Sequence, residues 1–266
     1  MKKIKKTDLG YALITGASSG MGCEFARLLA ADGWNLILVA RNMSNLENIS
    51  RSLKSDFNIK VKVLCQDLSL PDTARLIFED LQKENIEVNA LINCAGLSVH
   101  GEFGASDLHE QMHMIQVNIC ALTSLTRIFL APMLERKSGW ILNVASTAAF
   151  RSAPLQAVYY ASKAYVLHFT EALSNELKDS GVTATCFCPG ATKTDFFRRA
   201  GMKVPQSLQN QLMNADRAAA IGYQAALKGK VVVIPGIKNK LSVFIMRVLP
   251  RSMAIKIMRK VMDTAR

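Results

Sequence analysis

The sequence predicts an α/β protein: a doubly wound parallel sheet of about seven strands with helices on both faces. Two observations point there. Short runs rich in β-branched and aliphatic residues alternate with longer helical patterns, the rhythm of βαβ units. Those short runs are continuously apolar instead of alternating, as strands buried on both sides must be.

Taken in order, the strand candidates are 11–15, 35–40, 60–65, 88–93, 139–145, 182–188 and 231–235. Helical patterns fill the intervals at about 20–33, 44–55, 71–84, 106–136 with a break, 156–179 and 215–228. A chain of 266 residues suits one such sheet without division, so 1–238 reads as a single domain. The segment of about 191–214 interrupts the rhythm, with Phe196, Phe197, Met202, Pro205 and Leu208 set among polar residues. It reads as a substrate lid, a packed surface loop being the plainer alternative. Beyond the last strand, 239–266 reads as a basic amphipathic tail of two short helices separated by Pro250.

Composition narrows the partners. Lysine and arginine total 33 against 21 acidic residues, a net charge of +12. Such a surface favours an anionic cofactor. No nucleic-acid motif or aromatic/basic stripe accompanies it, so no nucleic acid is expected. The tail leaves two readings open: peripheral contact with an acidic membrane, or packing on the body or a sister subunit. The basic opening 1–6 is followed by too short an apolar stretch for a secretory signal, and no apolar run is long enough to span a bilayer. A cytoplasmic location is expected. The six cysteines, Cys23, Cys65, Cys94, Cys120, Cys186 and Cys188, lack metal-ligand spacing and read as reduced packing residues, with no metal site. Cys186 and Cys188 are expected on opposite sides of their strand.

The chemistry-bearing motifs fall at strand ends, where open α/β sheets bind ligands. After the first strand comes Thr15-Gly16-Ala17-Ser18-Ser19-Gly20-Met21-Gly22. Glycines there permit a tight turn and close approach of a pyrophosphate to a helix N-terminus, so Gly16, Ser18, Ser19, Gly20, Met21 and Gly22 are candidate cofactor residues of a Rossmann fold. One more residue separates the first two glycines than in the general fingerprint. The second strand runs into Arg41 and Asn42, and no acidic residue occurs between 36 and 46. A guanidinium in place of a carboxylate suits a 2′-phosphate, hence NADP(H) over NAD(H). Asp67, followed by Leu68, stands where it can hold the adenine or cap the next turn. Tyr159 and Lys163 are four apart on a helical pattern and share a face. A nearby ammonium favours a phenolate, as acid/base chemistry near neutral pH requires. Ser146, at the end of the fifth strand, precedes Tyr159 by thirteen residues.

With these residues in their order and spacing, together with Asn93-Cys94-Ala95-Gly96, Asn118 and Pro189-Gly190 followed by Thr194, the chain resembles the short-chain dehydrogenase/reductase family over roughly residues 10–235. Cys94 departs from the second Asn of many members. The resemblance implies that Tyr159 exchanges the proton of a carbonyl/alcohol pair and Ser146 orients the reacting oxygen. Lys163 binds the nicotinamide ribose and tunes Tyr159, and Asn118 holds a water that relays protons. Asn93, Ala95 and Gly96 line the cofactor, while Pro189, Gly190, Thr192 and Thr194 anchor the nicotinamide side. It also implies a homodimer or homotetramer. The small-molecule substrate stays open, the apolar lid favouring a hydrophobic one such as a 3-oxoacyl thioester or a steroid. A membrane-surface protein or a non-catalytic binding protein on the same fold is the alternative of another class. On this reading Arg41→Asp shifts preference from NADPH toward NADH, seen as a reversal in the ratio of their KM values.

Overall fold

The computed structural model describes residues 10–203 and 212–264. Seven strands form one parallel sheet: β1 (Tyr11–Thr15), β2 (Asn35–Ala40), β3 (Val61–Cys65), β4 (Val88–Asn93), β5 (Gly139–Val144), β6 (Val182–Phe187) and β9 (Val232–Val233). Two further strands, β7 (Thr192–Lys193) and β8 (Met213–Asn214), pair separately and join the two ends of the segment 191–214. The sheet order is β3-β2-β1-β4-β5-β6-β9. Chain direction across the sheet therefore reverses between β1 and β4, which opens a crevice at their carboxyl ends.

Helices α1 (Gly20–Ala31), α2 (Met43–Phe57) and α8 (Ala215–Leu227) cover one face. Phe25, Leu29, Trp34, Phe187 and Tyr223 fill the space beneath them. On the other face lie α3 (Thr73–Lys83), α4 (Leu108–Ile115), α5 (Leu122–Glu135) and α6 (Ala157–Glu176), over Ile77, Leu81, Leu125, Phe129 and Leu173. The break expected within 106–136 is a π-helical turn at Gln116–Ala121, which leaves the path helical while displacing its register. Leu108–Glu135 as a whole is long and apolar enough to cross a membrane, yet half of its most apolar window is buried in the fold.

The last sheet strand is shorter than the apolar run predicts. Only Val232–Val233 pairs with β6, and Val231 is exposed at the sheet edge. Cys186 and Cys188 are not on opposite sides, their sulfurs being 3.6 Å apart. Residues two apart on a strand share a face, so the alternation of β6 itself brings the two thiols together. The segment expected to form a lid contains α7 (Phe196–Arg199), while Pro205 and Leu208 lie outside the described residues. The tail forms α9 (Ile237–Val248) and α10 (Arg251–Asp263), and it is not a separate appendage. Met258 and Met262 are buried with Met114, Ala148, Leu155 and Tyr159.

Phe129 meets Phe78 edge-on at 5.4 Å and is almost wholly buried. Phe129→Ala is expected to remove about 3–5 kcal/mol of stability, seen as a lower urea midpoint with unchanged m.

Candidate active site

The carboxyl ends of β1 and β4 are locked together by one hydroxyl. Thr15 Oγ1 accepts from the main-chain N–H of Cys94 and of Ala95, each at 3.0 Å, and donates to the Ile92 carbonyl at 3.4 Å. Gly16 then turns at φ +67°, and a Cβ there would lie 3.0 Å from the Ala95 backbone. A Cβ on Gly22 would collide with the Gly16 carbonyl. Both positions are therefore closed to larger residues, and the turn delivers the N-terminus of α1 to the crevice.

A cleft of about 1550 Å³ runs along these strand ends. It is lined by Gly16, Ser18, Ser19, Gly20, Met21 and Gly22 from the turn, by Arg41 and Asn42 after β2, and by Asp67 and Leu68 after β3. Ala95, Gly96, Ser146, Tyr159 and Lys163 form its middle, with Pro189, Gly190, Thr192 and Thr194 at the far end. The Asn42 side chain caps α2 by accepting from Asn45 N–H at 2.9 Å. Asp67 takes up the capping role in part, Oδ1 accepting from Ser69 N–H at 2.9 Å. Burial works to raise its carboxyl, but the hydrogen bonds from Ser69 and the charges of Arg41 and His113 outweigh this and hold it below the ordinary carboxylate range.

Two residues expected in the site lie outside the cleft lining. Asn93 is buried, its amide donating to Asn143 Oδ1 at 2.8 Å and Thr126 Oγ1 at 3.1 Å. It is the last residue of β4, and its side chain ties the sheet to α5 and β5. Asn118, in the π turn, accepts from Leu97 N–H at 2.8 Å and donates to Leu97 O and to Ser162 Oγ. Both amide hydrogens are thereby engaged, and the side chain holds the loop after β4.

Tyr159, Ser146 and Lys163 come together on the floor. Lys163 is 5% exposed, and its ammonium donates to the Val144 carbonyl at 2.9 Å. It lies 5.9 Å from the Tyr159 ring centroid. Gly96 leaves the room, since a Cβ there would sit 3.3 Å from Lys163 Nζ. Burial pulls the lysine down to about 8, with the thiols of Cys94, Cys186 and Cys188 acting the other way. Burial pushes the Tyr159 phenol well above its ordinary value, partly offset by a hydrogen bond with Ser146. Tyr159 is thus held as a protonated acid beside a mostly protonated ammonium at neutral pH. Its neighbour Tyr160 is buried with its phenol against Arg151.

Sequence reasoning placed Phe196 in the segment expected to act as a lid but missed the other residues at this end of the cleft. Gln156 donates to Ser98 Oγ at 2.6 Å, Arg151 donates to Ser242 Oγ at 3.2 Å, and Phe196 of the lid packs on Tyr159 at 5.5 Å between ring centroids. Met258, Val261 and Met262 of α10 close the wall. Only the i, i+4 spacing of Ala254, Met258 and Met262 signals a buried face, and it does not say against what.

The sequence pattern of short chain dehydrogenases matches residues 10–204. The chain belongs to the short-chain dehydrogenase/reductase family. It is 38% identical over 182 residues to a very-long-chain 3-oxoacyl-CoA reductase of Pyrenophora tritici-repentis, covering 66% of this chain and 53% of that protein. The chain thus spans about half the length of this relative. It is 30% identical to mouse 17-beta-hydroxysteroid dehydrogenase type 3, over 81% of this chain and 70% of that one. A Sphingobium yanoikuyae short-chain dehydrogenase solved with NADPH superposes at TM-score 0.79 with 27% identity, covering 92% of this chain and 98% of that one.

In this family member, an ammonium whose folded pKa lies below the unfolded 10.5 opposes folding fully below about 8, where both states hold the proton. The opposition fades as pH rises through that window. Wild type is expected to gain stability relative to Lys163→Met between those limits, by up to about 1.4 kcal/mol per pH unit. Urea unfolding of both proteins across the window checks it.

Proposed function

We propose that the chain is an NADP(H)-dependent oxidoreductase that interconverts a carbonyl and an alcohol on an apolar substrate, with 3-oxoacyl thioesters the leading class. The observation that carries this is the convergence of the Tyr159 phenol, the Ser146 hydroxyl and the Lys163 ammonium on the floor of a cleft that begins at a glycine turn. The cradle fits a dinucleotide: Gly16 and Gly22 leave backbone bare where any side chain would fill the space, at the start of α1. Arg41 on the rim offers a guanidinium to a 2′-phosphate, and the NADPH-bound relative supports that choice.

NADPH, when bound, supplies the hydride for reduction. Ser146 donates a hydrogen bond to the substrate oxygen and orients it, stabilising the negative charge that develops there. Tyr159 gives that oxygen its proton, which a buried phenol retains until the reaction demands it. Lys163, its charge held beside the ring, stabilises the phenolate left behind and binds the nicotinamide ribose. Asn118 positions the Leu97 loop, and Thr194 with the backbone from Pro189 to Thr192 holds the nicotinamide side.

Two features support an acyl thioester. Phe196, Phe197, Met202, Met258 and Met262 give the cleft an apolar end, while Arg199, Lys203, Arg217 and Lys238 line it with positive charge suited to a phosphorylated carrier. Similarity to the fungal 3-oxoacyl-CoA reductase agrees. A hydroxysteroid is the second reading, favoured by the mouse relative. Pairing of two copies through α5 and α6, where Tyr165 and Phe169 stack at 5.8 Å near the surface, belongs to the same proposal.

The decisive assay follows NADPH and NADH oxidation over 3-oxoacyl thioesters, steroids and simple ketones. NADPH turnover with a thioester supports the reading in full, and turnover confined to steroids supports the second. Absence of cofactor binding overturns both. Tyr159→Phe is expected to reduce kcat by about three orders of magnitude or more, the scale of losing a positioned acid, while NADPH fluorescence titration stays near wild type.

A further inference from the structure

We propose that the outer faces of α9 and α10 dock on an anionic membrane surface, with the mouth of the cleft against the bilayer. Ile237, Leu241, Phe244 and Val248 recur at intervals of four, three and four, which places them on one stripe of α9. That stripe points outward: Ile237 is 83% exposed, Phe244 63% and Val248 65%. The opposite side of α9 is the one that packs, through buried Val243 and through Met246 against the cluster around Tyr159. In α10, Met253 and Ile257 are likewise exposed, while Ala254, Met258 and Met262 face the body. An apolar stripe on each of two consecutive helices is thus left to solvent by a fold that buries their other sides.

Charge decides what covers it. Between Ile237 and Met262 there are seven Lys or Arg residues and no Asp or Glu. Arg259 is drawn to Glu102 at 2.8 Å and helps to pin α10 to the body. A second copy meeting this face about a two-fold axis would set cation against cation. A bilayer with acidic headgroups satisfies both features at once, taking the apolar stripe into its interface and the lysines and arginines at its surface. Orientation follows from continuity: Ile237 and Val261 belong both to the exposed faces and to the lining of the cleft. Delivery of an apolar substrate from the bilayer into the cleft rests on the proposed function, whereas docking does not.

Co-sedimentation of the full chain with phosphatidylcholine vesicles, with and without phosphatidylglycerol, tests the docking. Binding is expected only where phosphatidylglycerol is present, to weaken with salt, and to fall about tenfold or more in Leu241→Ser/Phe244→Ser and in Lys240→Glu/Arg247→Glu. These four side chains lie outside the cleft, so NADPH binding and turnover of a soluble carbonyl are expected to stay near wild type, which reports intact folding. Absence of wild-type binding to the anionic vesicles overturns the proposal, as does binding that both double variants retain. A concentration-dependent dimer lost in Leu241→Ser/Phe244→Ser assigns the face to a second copy and also overturns it. Vesicle binding is read without turnover, so an enzyme inactive on every carbonyl leaves this test unaffected.

Discussion

A buried primary ammonium sets the terms for the centre of this molecule. Lys163 can remain inside only because the Val144 carbonyl at the end of β5 accepts from it, and because Gly96 leaves the space its Nζ needs. An unpartnered buried charge would cost several kcal/mol. The helix that carries Lys163 is therefore fixed against the ends of β4 and β5, and Tyr159, one turn earlier on the same face, is fixed with it. The same burial keeps the phenol protonated and lowers the lysine, so the packing that shapes the floor also sets its proton chemistry.

Around this floor, rigidity and adaptability are divided. The end of the cleft at the glycine turn is built from strand ends whose geometry tolerates no added side chain, and Thr15 ties β1 to β4 by three hydrogen bonds. The opposite end is assembled from the loop after β4, the lid and α10, held by sparse contacts such as His100 with the Met262 carbonyl and Arg259 with Glu102. Its apolar surface comes largely from methionine and phenylalanine, side chains that fill irregular space. The division fixes Tyr159, Ser146 and Lys163 independently of the apolar wall at the opposite end of the cleft.

The seven-stranded, two-faced plan was legible because a strand buried on both sides must be apolar throughout, as Leu36–Val39 and Leu91–Ile92 are. The glycine turn, Ser146, Tyr159 and Lys163 were legible because their spacings are short and anchored to strand ends. Asn93 and Asn118 were not. An asparagine at a strand end or in a helix can turn to a ligand or to a neighbouring backbone, and here the unmet bonds of Leu97, Thr126 and Asn143 took both. The expected separation of Cys186 and Cys188 failed for a simpler reason, since strand alternation puts residues two apart on the same face.

By itself the sequence determined the layering of the sheet, the place of the glycine turn and the meeting of Tyr159 with Lys163, because each depends on local periodicity or on contacts a few residues apart. Only the tertiary structure decided what the last helices are for. Both faces of α10 carry apolar residues, and periodicity cannot say which of them meets protein. That choice was made by the cavity between Tyr159, Met114 and Leu155, which Met258 and Met262 fill, leaving Met253 and Ile257 outside.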